Sequence, residues 1–223
     1  HPFQGGHQSD VYAARLKEIA PDARILISIR AQLKILPSVY AQYVLRGGTM
    51  PYDQFFEGRA ELGYFAFTPE HFEYDKLVSH YQNLFGADRV YVLTQESLKL
   101  DMDAAVAALA KFAGADRFAG LTPAAKAPTG VSYPEYALPT LRRINHVQTS
   151  TLQPCPVFSV GTTPRGLYKL AGFALKNPPF STLLGSRNPV SAYVARHYSG
   201  TFNASNVRLA QISRNALDLS RYG

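Results

Sequence analysis

A short apolar run, ended by an arginine and followed by a long helical pattern, constrains the fold of this chain most. The run extends from Ile25 to Ile29 and is mostly β-branched, which is typical of a strand buried on both faces of a parallel sheet. Arg30 ends it. Gly47-Gly48 ends a helical pattern that follows. Its apolar residues at helical spacing are Leu33, Leu36, Tyr40, Tyr43 and Val44. The pattern predicts a strand–helix unit of an α/β protein.

Arg30 and Ser38 are the candidate ligand-binding residues of this unit. In open α/β sheets, ligands bind outside the carboxyl ends of strands, where Arg30 stands. Ser38 follows eight residues later, one helical turn beyond Lys34. A guanidinium fork with a hydroxyl suits a phosphate monoester. The alternative is that Arg30 is a solvated or structurally paired residue and that Ser38 bonds its own helix backbone.

Pro37 leaves two possibilities for this helix. Either the helix is kinked at Pro37, or its regular part begins there and places Ser38 in the first turn. The sequence does not choose between them.

Other segments continue an alternating α/β pattern. An amphipathic helix is predicted from Tyr74 to Phe85, then a strand from Arg89 to Thr94, then a helix from Met102 to Phe112 capped by Asp101. Because helices separate the two strands, we expect these strands to be parallel and in one sheet. A helix from Ser9 or Asp10 to Ala20 precedes them, with Val11, Ala14, Leu16 and Ile19 as its apolar side.

The remaining segments are less regular. The aromatic stretch from Thr49 to Phe72 predicts a short helix, Tyr52 to Glu57, in a loop that either packs on the core or forms a substrate lid. Residues 115–131 lack periodicity and indicate a surface connection. Further helices are predicted at 134–144, 165–175 and 189–197, and Val207, Ala210 and Ile212 suggest a docking face near the end. We expect a single domain over residues 1–223.

Charge and composition narrow the function. The net charge is +7 and the pI about 9.5, with basic residues spread out, which favours a small polyanionic ligand over nucleic acid. The single Cys155 excludes an intrachain disulfide and fits a cytoplasmic location. Apolar runs of roughly 20 residues are absent, so no membrane partner is expected. No histidine pair has metal-binding spacing, so no metal site is expected.

Three stretches carry a resemblance to a known family. They are ILISIRAQ with SVYAQYVLRGG, then HFEYDKLVSHYQNLFGADRVYVLTQESLKLDMDAAVAALAKFAG, and finally FNASNVRLAQISRNALDLSRYG, with its SN-x-x-LA and DL-x-RYG elements. Together they resemble the bacterial branch of the sulfotransferases that use 3′-phosphoadenosine 5′-phosphosulfate (PAPS). The resemblance covers residues 1–114 well and 187–223 moderately.

The resemblance implies a fold and a cofactor. The fold would be a three-layer α/β arrangement like that of P-loop kinases, with a parallel sheet flanked by helices. Arg30 and Ser38 would bind the 3′-phosphate of PAPS or of its product, adenosine 3′,5′-bisphosphate. The acceptor would be a carbohydrate or small molecule of unknown identity. Glu96, after the second strand, has either a structural role, capping a turn or pairing with an arginine, or a functional one.

One part of the family's cofactor site is not found. The family binds the 5′-phosphosulfate with a phosphate loop after its first strand, but Gly5-Gly6 is followed by His7 and Gln8. We therefore expect that first strand and loop to lie upstream of His1. We also expect the 223-residue chain alone to aggregate and to be inactive in sulfuryl transfer. The catalytic base stays unknown, with His1 and His7 as remaining candidates.

Two other functions stay open. A nucleotide or small-molecule kinase of the same general fold would need magnesium-binding carboxylates near the strand ends, and no convincing pair is present. A non-catalytic module for sulfated or phosphorylated glycans would need only the basic charge, and its binding would be weak and salt-sensitive.

Overall fold

The computed structural model describes residues 9–61, 63–64, 66–115, 117–127, 133–156 and 158–222. Two strands are present in these residues, β1 (Ile25–Ile29) and β2 (Val90–Thr94). Helices account for most of the rest: α1 (Ser9–Ile19), α2 (Gln32–Leu45), α3 (Tyr52–Phe56), α4 (Tyr74–Phe85), α5 (Gln95–Leu100), α6 (Met102–Ala113), α7 (Pro123–Lys126), α8 (Leu138–Asn145), α9 (Leu167–Lys176), α10 (Phe180–Leu184), α11 (Pro189–Tyr198) and α12 (Asn203–Ile212). The protein is α/β and mostly helical.

The two strands form one parallel sheet. Ile25 lies opposite Val90, and the pairing continues to Ile29 opposite Thr94. This confirms the prediction that both strands are parallel and share a sheet. It also confirms the α/β class, whereas the three-layer P-loop-kinase-like arrangement remains a proposal.

The prediction that β1 is buried on both faces is wrong. Ile25, Ile27 and Ile29 are buried, but Ser28 is exposed and Leu26 is 45% exposed. The reason is uneven helix cover. Helix α4 contacts both strands, whereas α6 lies over β2, where the rings of Tyr91 and Phe112 are 5.1 Å apart. The second face of the sheet is therefore covered over β2 and open over β1.

Two of the predicted helices end where the sequence indicates. Helix α4 spans Tyr74–Phe85 and stops at Gly86. Helix α6 begins after Asp101, whose carboxylate accepts a hydrogen bond of 2.9 Å from the Ala104 amide, and it ends at Gly114, with φ of 73°. Helix α6 carries both a start and a stop signal, and α4 carries a stop signal and a strong amphipathic pattern, which is why local pattern predicts them well.

The predicted apolar faces of α1 and α12 are wrong. Ala13 is the buried residue of α1, and Val11, Leu16 and Ile19 are exposed. In α12 the buried residues are Ser205, Asn206 and Leu209, while Val207 is 59% exposed. Both helices use a different face from the one that hydrophobicity indicates.

Helix α2 runs through Pro37 rather than starting there. It begins at Gln32, which places Ser38 well past the first turn. Of the two possibilities that the sequence left open, the structure therefore excludes a helix that begins at Pro37.

Contacts divide the chain into two compact units whose segments alternate along the sequence. The sheet-containing unit has residues 8–32, 70–130 and 199–223, and holds β1, β2, α1, α4, α5, α6, α7 and α12. The helical unit has residues 33–69 and 131–198 in addition to 1–7, and holds α3, α8, α9, α10, α11 and most of α2.

Aromatic rings form the core of the helical unit. Phe55 packs against Tyr43 and Tyr64, with ring centroids 4.9 and 5.5 Å apart, and Phe56 packs against Phe67 at 5.0 Å. All five rings are buried. The prediction of a short helix here is confirmed, and these rings pack on the core rather than form an exposed lid.

Among the residues described above, no helix is both long enough and apolar enough to span a membrane.

Candidate functional site

The carboxyl end of β1 is held by hydrogen bonds to a single peptide group, the one joining Arg30 to Ala31. The Arg30 carbonyl accepts a bond of 2.8 Å from the Tyr74 hydroxyl. The Ala31 amide donates a bond of 3.3 Å to Glu96 Oε1. Both ends of the peptide group are therefore fixed, by α4 on one side and α5 on the other. The half-buried Arg30 side chain starts from an anchored backbone.

Glu96 stands at the carboxyl end of the neighbouring strand. Helix α5 starts directly after β2, and the Thr94 hydroxyl caps it by accepting a bond of 3.1 Å from the Ser97 amide. The second Glu96 oxygen accepts a bond of 2.6 Å from the Tyr222 hydroxyl. Glu96 thus links the ends of both strands to the end of the chain. These bonds support a structural role for Glu96. Its partners are the Ala31 amide and the Tyr222 hydroxyl, rather than the turn or the arginine that the sequence suggested.

A series of buried hydrogen bonds connects the start of α2 to α12. Gln32, 1% exposed, donates to the Phe72 carbonyl at 3.2 Å and to Asn206 Oδ1 at 2.8 Å. Asn206 in turn donates to the Tyr222 carbonyl at 3.2 Å. Buried amide groups of this kind stabilise a structure only when they are paired, as these are. They hold the chain end against the start of α2.

Sequence reasoning missed Tyr74, Gln32, Asn206 and Tyr222 as residues of this site. Asn206 lies in the SN-x-x-LA element and Tyr222 in the RYG tail, so the closing resemblance was the one signal that could have found two of them. The structure gives these two elements a physical role: they complete the hydrogen bonding around the strand ends.

Burial keeps the two tyrosines protonated. Desolvation raises the pKa of Tyr74 and of Tyr222 well above the usual tyrosine range, and the charge of Glu96 raises both further. The positive charge of Arg30 opposes these effects. Both hydroxyls therefore act as hydrogen-bond donors at neutral pH.

A buried carboxylate, Asp75, joins α4 to α12. It accepts hydrogen bonds from the Ser205 hydroxyl and from Arg208 Nε, the latter at 2.5 Å. Burial acts to raise the pKa of Asp75, but the bonds from Ser205 and Arg208 outweigh it and lower that pKa below its usual value. This arrangement is structural: it pairs a buried charge and fixes α12 in register with α4.

Ser38 lies in the part of α2 that belongs to the helical unit. Its hydroxyl donates to the Lys34 carbonyl one turn earlier, at 3.4 Å, which is long for an O–H···O bond. This is the backbone bond that the sequence offered as the alternative to ligand binding. Arg30 belongs to the other unit, so the prediction that the two side chains face one another stays a prediction.

The two candidate catalytic bases, His1 and His7, lie outside the described residues, as does the Gly5-Gly6 pair. Within the described ranges, no group of three or more His, Cys, Asp or Glu side chains is placed to hold a metal ion.

Comparisons with known protein families, with curated proteins and with solved structures gave no significant match to this chain. The resemblance to sulfotransferases therefore rests on the quoted residues alone.

Proposed function

We propose that the chain is a PAPS-dependent sulfotransferase that binds the cofactor's 3′-phosphate with Arg30 and Ser38. The observation that carries the proposal is the position of Arg30, directly after a parallel strand, on a peptide group bonded at both ends. The proposed fold is the three-layer P-loop-kinase-like arrangement, and the proposed acceptor is a hydroxyl or amine of a carbohydrate or small molecule.

The residues fit a phosphate monoester chemically. A guanidinium group presents two parallel N–H donors to two phosphate oxygens, and an anchored backbone reduces the ordering that binding must impose. The Ser38 hydroxyl, which donates to the Lys34 carbonyl at 3.4 Å in the structure, would supply a donor for a third phosphate oxygen. The net charge of +7 favours approach of a polyanion such as adenosine 3′,5′-bisphosphate.

The kinase alternative is less well supported because of Glu96. A kinase needs carboxylate oxygens at the strand ends to coordinate Mg²⁺. Both Glu96 oxygens instead accept hydrogen bonds from the protein, one from Ala31 and one from Tyr222. Magnesium at Glu96 would have to share oxygens that already accept bonds holding both strand ends.

Calorimetric titration with adenosine 3′,5′-bisphosphate tests the proposal. We expect Arg30→Gln to weaken binding about tenfold or more, since a hydrogen bond to a charged group contributes about 1.5 to 3 kcal/mol. Arg30→Lys should bind with intermediate affinity because it keeps the charge and loses the fork. Ser38→Ala should have a smaller effect than Arg30→Gln.

Arg89→Gln is the matched control. Arg89 precedes β2, at the amino end of the parallel strands, whereas Arg30 follows β1 at their carboxyl end. The Arg89 guanidinium pairs with the exposed Asp22 carboxylate at 2.9 Å. This variant has the same charge change and should bind the bisphosphate like the wild type. Equal losses in the two variants, with unchanged circular dichroism, would contradict the proposal. So would equal affinity for adenosine 5′-monophosphate, which lacks the 3′-phosphate.

A further inference from the structure

Helix α9 has an apolar side that is exposed among the described residues of its unit. Tyr168 and Gly172 are its buried residues. At 100° per residue, Leu170 and Phe173 lie on the opposite side. They are 67% and 69% exposed. Helix α10 packs against α9 and adds two more exposed apolar side chains, Phe180 and Leu183. Several large side chains exposed on one helical pair mark an interaction surface.

The stretch of sequence that holds these two helices is basic. Residues 136–198 contain seven Lys and Arg and no Asp or Glu, while the rest of the chain contains sixteen basic and sixteen acidic residues. The net charge of this segment, +7, is therefore equal to the net charge of the whole protein. Lys169 and Lys176 share one flank of α9, beside Phe173. Arg165 and Arg187 lie just before α9 and just after α10.

We propose that α9 and α10 bind the surface of an anionic lipid bilayer. Outward Leu and Phe side chains flanked by lysines are the composition of helices that lie in a membrane interface. The lysines attract the negative headgroups, and their aliphatic stems lie along the apolar layer. The apolar side chains then enter the boundary between headgroups and acyl chains.

A neighbouring cavity has the same character. It has a volume of about 450 Å³ and is bounded mainly by apolar side chains of α8, α10 and α11, with the Arg187 side chain in its lining. An apolar cavity with one guanidinium suits an amphiphile that has an anionic head. It suits an acidic protein side chain less well, because a carboxylate would leave the apolar lining unfilled.

A second copy of this chain is a poorer occupant. A twofold contact through α9 and α10 would bring Lys169, Lys176 and Arg187 of both copies together, and neither helix has an acidic residue to pair them. Like charges placed together oppose such an interface. The expectation of no membrane partner rested on the lack of a spanning segment, and surface binding needs none.

Flotation of the 223-residue chain with vesicles in a density gradient tests the proposal without nucleotide, because vesicle-bound protein floats and aggregated protein does not. We expect binding to vesicles of phosphatidylcholine mixed with phosphatidylserine, little binding to phosphatidylcholine alone, and release by added salt. Leu170→Ser/Phe173→Ser and Lys169→Glu/Lys176→Glu should each lower the partition coefficient about tenfold or more. These positions are exposed, so circular dichroism should not change.

Two control variants make the same kinds of substitution, apolar to serine and lysine to glutamate, outside α9 and α10. Ile19→Ser/Val207→Ser removes exposed apolar side chains, and Lys99→Glu/Lys111→Glu reverses the charge of exposed lysines. Neither should alter vesicle binding. Equal losses in controls and test variants would overturn the proposal, as would a lack of binding at low salt. If the serine variant binds like the wild type and only the lysine variant fails, the surface binds polyanions, acidic proteins included, and the membrane assignment is wrong. A wild-type dimer that the serine variant abolishes would assign the surface to self-association.

Discussion

Two backbone hydrogen bonds help to fix the position of Arg30 at the end of β1. The Arg30 carbonyl and the next amide are held by Tyr74 and Glu96. Glu96→Ala would leave the Ala31 amide and the Tyr222 hydroxyl without their acceptor. We expect it to lower the free energy of unfolding by about 1 to 3 kcal/mol and to weaken bisphosphate binding.

Urea unfolding with Glu18→Ala as control measures that loss. Glu18 is an exposed carboxylate on α1, so its removal should change stability little. If both alanine variants unfold at the same urea concentration, the bonds to Glu96 do not hold the strand ends.

Asp75 should make the free energy of unfolding decrease as the pH falls into the acid range. The pKa of its carboxyl group is lowered in the folded state, so the unfolded chain binds a proton first as the pH falls. Its stabilisation is fully present above the pKa of about 3.9 of a free aspartate and is lost as the pH falls through the folded value. The difference in unfolding free energy between wild type and Asp75→Asn should therefore shrink below about pH 4. Parallel stability curves from urea unfolding between neutral and acid pH would contradict this.

Sequence pattern could find Arg30 but not the residues around it. Arg30 interrupts an apolar run, which is a local signal. Gln32 and Asn206 are 174 positions apart, and their hydrogen bond depends on how α12 returns to the sheet. No spacing rule reports such a pair. The SN and RYG elements indicate a likeness to a family, whereas their chemical role depends on contacts between distant parts of the chain.

At the scale of elements, the identity of a helix or strand was easier to predict than its buried face. The run from Ile25 to Ile29 is a strand, and its one polar residue, Ser28, does lie on the open face. Leu26 is apolar although it is exposed, so the sequence does not show the alternation of buried and exposed residues along β1. In α12 the buried face includes Ser205 and Asn206, since each bonds a buried partner, Asp75 and Gln32 respectively. Hydrophobicity alone selects the wrong face in such a helix.

Neighbouring residues of β1 should differ sharply in their effect on stability. Ile27→Ala removes a buried side chain and should cost about 2 to 4 kcal/mol. Leu26→Ala removes a side chain that is half in solvent, and should cost under about 1 kcal/mol. Urea unfolding of the two variants measures both values. Similar costs would mean that the open face of β1 is covered in solution.

At the scale of the whole molecule, charge and cofactor chemistry separate the sulfotransferase proposal from its rivals. Binding of adenosine 3′,5′-bisphosphate should weaken with added salt and should not depend on Mg²⁺. A kinase would require Mg²⁺ with its nucleotide. A glycan-binding module would bind sulfated glycans with no contribution from nucleotide. Titrations with and without MgCl₂, and with heparin as competitor, distinguish the three.

The most direct measurement is a crystal structure of the chain with adenosine 3′,5′-bisphosphate bound. The 3′-phosphate should lie beyond the carboxyl end of β1, with its oxygens about 3 Å from the guanidinium nitrogens of Arg30 and from Ser38 Oγ. The Arg30–Ala31 peptide should still accept its bond from Tyr74 and donate its bond to Glu96. A phosphate bound elsewhere, or Arg30 and Ser38 on opposite faces of the sheet with the ligand present, would contradict the proposed cofactor site.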